Sequence, residues 1–166
     1  MTIKVGDKLP EATFMIMGAS GPAKTTAAEV FKGKKVALFA VPGAFTPTCQ
    51  QQHVPGFVAR VDELKRKGVD TIACTAVNDV FVLEEFAKAT GAKGKILMLA
   101  DGNGEFAKKL GLDIDLSGFG LGLRSKRSSG RARSSCTPTA STCSRVSRPG
   151  SNRGRRTAGA PPTRSR

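Results

Sequence analysis

Nowhere in this chain do roughly 18 apolar residues follow one another, the run that a helix needs to cross a bilayer. The opening Met1-Thr2-Ile3-Lys4-Val5-Gly6-Asp7 lacks the apolar heart of a secretory signal and the arginines of a transit peptide. The expectation is therefore a cytoplasmic protein with no membrane segment. The four cysteines (Cys49, Cys74, Cys136, Cys143) form no C-x-x-C pair, which excludes a zinc ribbon and a thioredoxin-type dithiol motif. A reducing compartment then suits one reactive cysteine better than a disulfide scaffold. Histidine is scarcer still. His53 stands alone, four residues after Cys49, so a Cys–His acyl-transfer pair would have to use it. No acid in the surrounding string is set to orient its ring, and His53 reads as mainly structural.

Acidic residues are few, 13 Asp and Glu against 27 Lys and Arg, but the imbalance is local. Residues 128–166 hold nine arginines and no acid, while 1–127 are only mildly basic. The tail also has no Leu, Ile, Phe or Met. Such a composition cannot bury enough apolar surface to offset its ordering entropy, so residues 128–166 are expected to be disordered. The division is a folded domain over 1–127 and an Arg/Ser-rich tail over 128–166.

Within the domain, Val36-Ala37-Leu38-Phe39-Ala40-Val41 has the continuous apolar pattern of a strand buried on both faces. After it, Val54, Phe57, Val58, Val61 and Leu64 recur at helical spacing, with Gly68 as the stop. Thr46 is a good N-cap and Pro47 a good first helical residue, which puts Cys49 in the first turn. The unpaired amides there and the positive end of the helix dipole favour a thiolate. Further strands are expected over 12–17, 70–77 and 96–100. A capping box at Thr26-x-x-Glu29, caps at Asn78-Asp79 and a turn at Asp101-Gly102-Asn103-Gly104 introduce the helices between and after them. Alternating strands and helices argue an α/β architecture with a mostly parallel sheet.

The string Pro42-x-x-x-Thr46-x-x-Cys49, followed by His53-Val54-Pro55-Gly56-Phe57, resembles the active-site signature of the peroxiredoxins, in their type II (atypical two-cysteine) branch. The resemblance covers about residues 1–127. It implies a thioredoxin-like fold and reduction of hydrogen peroxide or small organic hydroperoxides, with no cofactor. In that chemistry the Cys49 thiolate attacks the distal peroxide oxygen and becomes a sulfenate. Thr46 can hydrogen-bond the sulfur or the peroxide, and Pro42 limits backbone freedom and helps keep water off the thiolate. The family's glycine-rich string before its active-site arginine is similar to Gly118-Phe119-Gly120-Leu121-Gly122-Leu123-Arg124-Ser125-Lys126-Arg127. Arg124 fits that role best, with Arg127 as second choice. Cys74, 25 residues after Cys49, matches the spacing of type II members that form an intramolecular disulfide. It also sits inside an apolar strand, where a thiol can be plain core. Glutaredoxin, thioredoxin or glutathione are the implied reductants, and a homodimer is a possible assembly.

The family has a β-hairpin and a final helix where this chain has its arginine-rich tail. One explanation is a frame-shifted reading. Permissible codons for Ala132-Arg133-Ser134-Ser135-Cys136 (GCG CGC TCG TCG TGC), read one base earlier, spell Ala-Leu-Val-Val, a strand-like string. Resequencing the coding DNA past codon 127 checks this, and an intact frame ends the idea. The competing view, from another functional class, is a non-catalytic thioredoxin-like domain whose basic arm binds RNA or another polyanion through phosphate contacts. The tail has no aromatic residue for base stacking. A domain without its last hairpin would leave an apolar edge and face open, so marginal stability is expected.

Overall fold

The computed structural model of the chain describes residues 3, 4 and 6–133. A hairpin comes first, β1 (Thr13–Gly18) and β2 (Gly21–Thr26), followed by the short helix α1 (Ala27–Phe31). The capping box at its start is complete: Glu29 N–H donates to Thr26 Oγ1 and the Thr26 N–H donates to the Glu29 carboxylate. Strand β3 (Lys35–Ala40) leads into the Cys49 helix, which continues as α2 (Val54–Val58) and, after a break, α3 (Val61–Arg66). Then come β4 (Thr71–Ala76), α4 (Val80–Ala89), β5 (Leu97–Ala100) and α5 (Glu105–Lys109). The short strands β6 (Asp113–Asp115) and β7 (Leu123–Ser125) pair antiparallel with each other, and β8 (Ser128–Arg133) ends the described chain.

The main sheet has the order β2-β1-β5-β4-β3-β8. Its three central strands, β3, β4 and β5, are parallel, as their continuous apolar runs predicted. The expected α/β thioredoxin-like architecture is present. Alternation along β4 divides the core: Ile72, Cys74 and Ala76 face one apolar cluster and Ala73 the other. The first cluster gathers Phe39, Cys49, Val54, Leu83 and Phe86 under the Cys49 helix and α4. The second gathers Phe14, Phe31, Leu99 and Phe106 under α1 and α5. Each fully buried phenylalanine contributes about 1.5–3 kcal/mol.

One boundary is corrected. The chain was expected to lose regular structure after residue 127, leaving an apolar edge and face of the sheet open. Instead Ser128–Arg133 pairs antiparallel with β3, from Ala40↔Ser128 to Lys35↔Arg133. The backbone groups along the free side of a central strand need partners, and an adjacent segment of unfavourable composition can supply them. The rest of the expected tail, with Cys136 and Cys143, and the missing hairpin and helix lie outside the described residues. No helix among the described residues is long and apolar enough to cross a membrane.

Candidate active site

The site lies where β3 ends and its chain turns into the Cys49 helix. Val41 N–H donates to the Thr75 carbonyl, so the strand's hydrogen bonding to β4 runs up to the turn. Gln50 N–H donates to Thr46 C=O, which makes Thr46 the residue that opens the helix, as expected from its position before Pro47. Its side chain acts differently from the expectation. The Thr46 hydroxyl donates to the Gly43 carbonyl, 3.0 Å away, rather than accepting from a helix amide. The loop doubles back on itself there, bringing Gly43 within reach and turning the threonine into a loop clasp whose oxygen keeps its lone pairs.

Cys49 follows in the first turn and is buried, 2% exposed. From Cys49 to His53 the helix is wound wide, with Val54 N–H reaching back five residues to the Cys49 carbonyl. Such π-turns concentrate at functional sites. Nothing in the sequence pattern signals one here. Phe45, immediately before Thr46, has φ of +61°, a left-handed conformation that costs a non-glycine residue about 1–2 kcal/mol. Its half-exposed ring meets Phe86 edge-on at 5.3 Å.

A second element braces this loop from the end of β4. Asn78 Oδ1 accepts the Ala44 N–H at 3.0 Å, while Asp79 caps α4 by accepting from the Phe81 and Val82 amides. Sequence reasoning had both as candidate caps. The neighbouring acid takes that task, which frees Asn78 for a loop 34 residues away in sequence.

The third element is β7. Arg124 lies half-buried with Nη1 donating to the Val77 carbonyl at 2.9 Å. Its Nε lies 3.8 Å from the point where a side-chain carbon on Gly43 would stand, and Thr46 Cγ2 and Asn78 Oδ1 are 3.4 and 3.9 Å from the same point. Arg124, Thr46 and Asn78 therefore converge on Gly43, beside Pro42, and Thr46 stands one helical turn before Cys49. Arg127 is exposed, and its positive charge reaches His53 on the Cys49 helix.

His53 sits half-buried between aromatic rings, 5.2 Å from Phe39 and 5.6 Å from Phe57, and its Nδ1 has no hydrogen-bond partner. Burial first, then the Arg127 charge, pushes its imidazolium below the ordinary histidine range. A neutral ring in apolar and cationic surroundings fits the structural role expected of it.

Cys74 is fully buried in β4, paired laterally with Phe39 on β3 and Met98 on β5. It shares the Cys49 cluster, and both cysteines are free thiols. Burial, reinforced by the proximity of Cys49, pushes the Cys74 thiol well above its ordinary value. Among the described residues no group of His, Cys, Asp and Glu is arranged to hold a metal ion.

Comparison with known proteins agrees with this geometry. The redoxin family model matches residues 4–129. Over 130 residues the chain is 53% identical to the chloroplastic peroxiredoxin-2E of Arabidopsis thaliana, covering 76% of this chain and 56% of the relative. It is 45% identical to Arabidopsis thaliana peroxiredoxin-2D, covering 75% of this chain and 78% of that one. The chain thus spans little more than half the length of some curated relatives and over three quarters of others. Among solved structures, reduced Prx3 of Vibrio vulnificus in complex with hydrogen peroxide is similar at 48% identity and a TM-score of 0.76, covering 80% of this chain and 82% of that one.

Proposed function

Because this chain belongs to the peroxiredoxin family, in its type II branch, we propose that it is a thiol peroxidase acting on hydrogen peroxide and small organic hydroperoxides. The observation that carries the proposal is Cys49 in the first helical turn, one turn from Thr46, whose hydroxyl and methyl meet the same Gly43 that the Arg124 guanidinium approaches.

In the proposed reaction the Cys49 thiolate attacks the distal oxygen of ROOH. The S–O bond forms as the O–O bond breaks, and the departing RO⁻ leaves as ROH after taking a proton. Cys49 ends as a sulfenic acid. Arg124 has one nitrogen bonded to Val77 and further N–H donors to offer the splitting O–O bond. Thr46 has given its own proton to Gly43, so its oxygen suits the role of acceptor for a peroxide O–H. Pro42 offers no backbone donor and stiffens the approach. The peroxide held by the Vibrio relative supports this substrate class.

Cys74 is the proposed resolving cysteine: its sulfur displaces the sulfenic oxygen as water and closes a disulfide, which a dithiol reductant of the thioredoxin or glutaredoxin kind, or glutathione, reopens. A buried thiol held well above its ordinary value does not attack from where it sits. Resolution therefore requires the Cys49 turn to open and admit water to Cys74. The expected result is disulfide formation that is slower than sulfenate formation and speeds up as pH rises toward the range of an exposed thiol, about 8.5. Mass spectrometry of peroxide-treated protein checks it. Oxidised Cys49 with free Cys74, and never a linked pair, removes the role.

A homodimer is also proposed. The exposed side chains of Phe45, Phe81, Phe119 and Leu121 are the apolar surface it would bury. The proposed location remains the cytoplasm, although some relatives are named chloroplastic or mitochondrial. No observation favours the polyanion-binding alternative. Peroxide consumption with a dithiol reductant, wild type against Cys49→Ser, tests the main proposal.

A further inference from the structure

We propose that Asn78 is a positioning residue for the peroxidase site: its side chain pins the loop leading to Thr46 and Cys49 in register with Arg124, and does so with an uncharged acceptor that leaves the guanidinium free. The inference rests on the proposal that Thr46 and Arg124 serve a peroxide at Cys49.

Val77 and Asn78 are the two residues between the end of β4 and the Asp79 cap of α4. A central strand holds them on one side and a capped helix on the other. Each of them holds one half of the site. The Val77 carbonyl accepts from Arg124 Nη1 at 2.9 Å, and Asn78 Oδ1 accepts the Ala44 N–H at 3.0 Å. The separation between cation and loop is therefore set by two adjacent residues.

The loop needs such a hold. At its start Val41 N–H is tied to the Thr75 carbonyl, while the Thr46 hydroxyl bonds to Gly43 inside the loop itself. Between them Phe45 stands at φ of +61°, a conformation that a phenylalanine leaves unless its surroundings hold it there. Its ring leans on Phe86, a contact without the direction of a hydrogen bond. The Ala44–Asn78 bond fastens the preceding residue to the end of β4. Without it the loop can relax at Phe45 and carry the Thr46 oxygen off the site.

A carboxylate at 78 would accept the Ala44 amide more strongly than an amide oxygen does, but it would also compete for the cation. Arg124 Nε and Asn78 Oδ1 stand 3.8 and 3.9 Å from the point that a side-chain carbon on Gly43 would occupy. Among the described residues no carboxylate pairs with Arg124. Asparagine supplies the acceptor and no charge.

The test reads hydrogen exchange of the Ala44 amide by NMR and two single-turnover rates at Cys49, with hydrogen peroxide and with iodoacetamide. Alkylation needs a reactive sulfur, but neither an acceptor for the peroxide nor a donor for its breaking bond. Asn78→Ala is expected to release the Ala44 amide to exchange and to slow the peroxide reaction about 10²-fold, with alkylation far less affected. Its loss and that of Thr46→Val are expected not to multiply when combined, because both remove one contribution. Asn78→Asp is expected to keep the Ala44 amide protected and still to slow the peroxide reaction at least about tenfold. In an Arg124→Gln background the same exchange is expected to cost little more, since the charge it would neutralise is gone. A folded Asn78→Ala protein with a peroxide rate near wild type overturns the proposal, as do a still-protected Ala44 amide and fully multiplicative losses with Thr46→Val. Asn78→Asp at the wild-type rate, or slowed as much without Arg124 as with it, overturns the need for an uncharged acceptor. If Asn78→Ala does not fold, Asn78→Ser, too short to reach Ala44, takes its place with the same expectations. A wild-type Cys49 that does not react with peroxide sinks the peroxidase proposal. A reactive wild type beside unaffected Asn78 variants sinks the positioning role alone.

Discussion

Replacing Cys49 by serine is expected to lower peroxide consumption by at least about 10³-fold while leaving the fold intact. The two side chains differ by one atom, and Cys49 lies in a packed cluster with Phe39, Val54 and Phe86, so the exchange removes little contact area. It removes the chemistry almost wholly, because a hydroxyl at a helix N-terminus stays protonated and cannot carry the oxygen that a sulfenate carries. Cys74→Ser is the matching control. It should still consume one equivalent of peroxide per chain and stop there, or cycle only with a reductant that attacks the sulfenic acid directly. A stopped-flow trace with a stoichiometric first turnover in Cys74→Ser and none in Cys49→Ser is the expected pair. Equal activity in Cys49→Ser and wild type would remove the peroxidase proposal altogether.

The part of this fold that was legible in the sequence is the part written in local signals. Val36–Val41 has the pattern of a buried strand, and Thr46-Pro47 marks a helix start, so the corner that seats Cys49 could be placed before any coordinates. Asp79 as a cap and Thr26 with Glu29 as a capping box needed only neighbours three residues away. What escaped depends on distant partners. β2, Gly-Pro-Ala-Lys-Thr-Thr, has no strand pattern of its own and exists because β1 folds back on it. β8 has the composition of a loop and is a strand because β3 had backbone groups to pair. Asn78 looked like a second cap, and only the approach of Ala44 shows its use. The wide turn at Cys49 has no local signature at all.

The second large effect concerns which arginine serves the sulfur, where the family resemblance puts Arg124 first and Arg127 second. Arg124→Gln is expected to lower kcat/KM for peroxide by about 10²–10³-fold, the loss that follows removal of a preorganised donor at a developing charge. The physical case is its position. The guanidinium is half-buried, held on the Val77 carbonyl at 2.9 Å, and its Nε faces the Gly43 corner, so its remaining donors are aimed without further ordering cost. Arg127 is exposed, and a charge in water is screened. Arg127→Gln is therefore expected to cost less in rate while leaving a separate mark. With one of the two causes removed, the His53 imidazole should titrate at higher pH than in the parent protein, yet below the ordinary histidine range because burial remains. An NMR titration of the single histidine reads that shift directly. If the large rate loss falls on Arg127→Gln and the small one on Arg124→Gln, then the cation is Arg127, brought in past His53. Arg124 would then be a brace that ties β7 to Val77. Arg124→Lys sharpens the distinction, since it keeps the charge but loses the planar fork. As the donor to the peroxide, Arg124 should be crippled by the lysine exchange. As a brace on one carbonyl, it should tolerate the exchange.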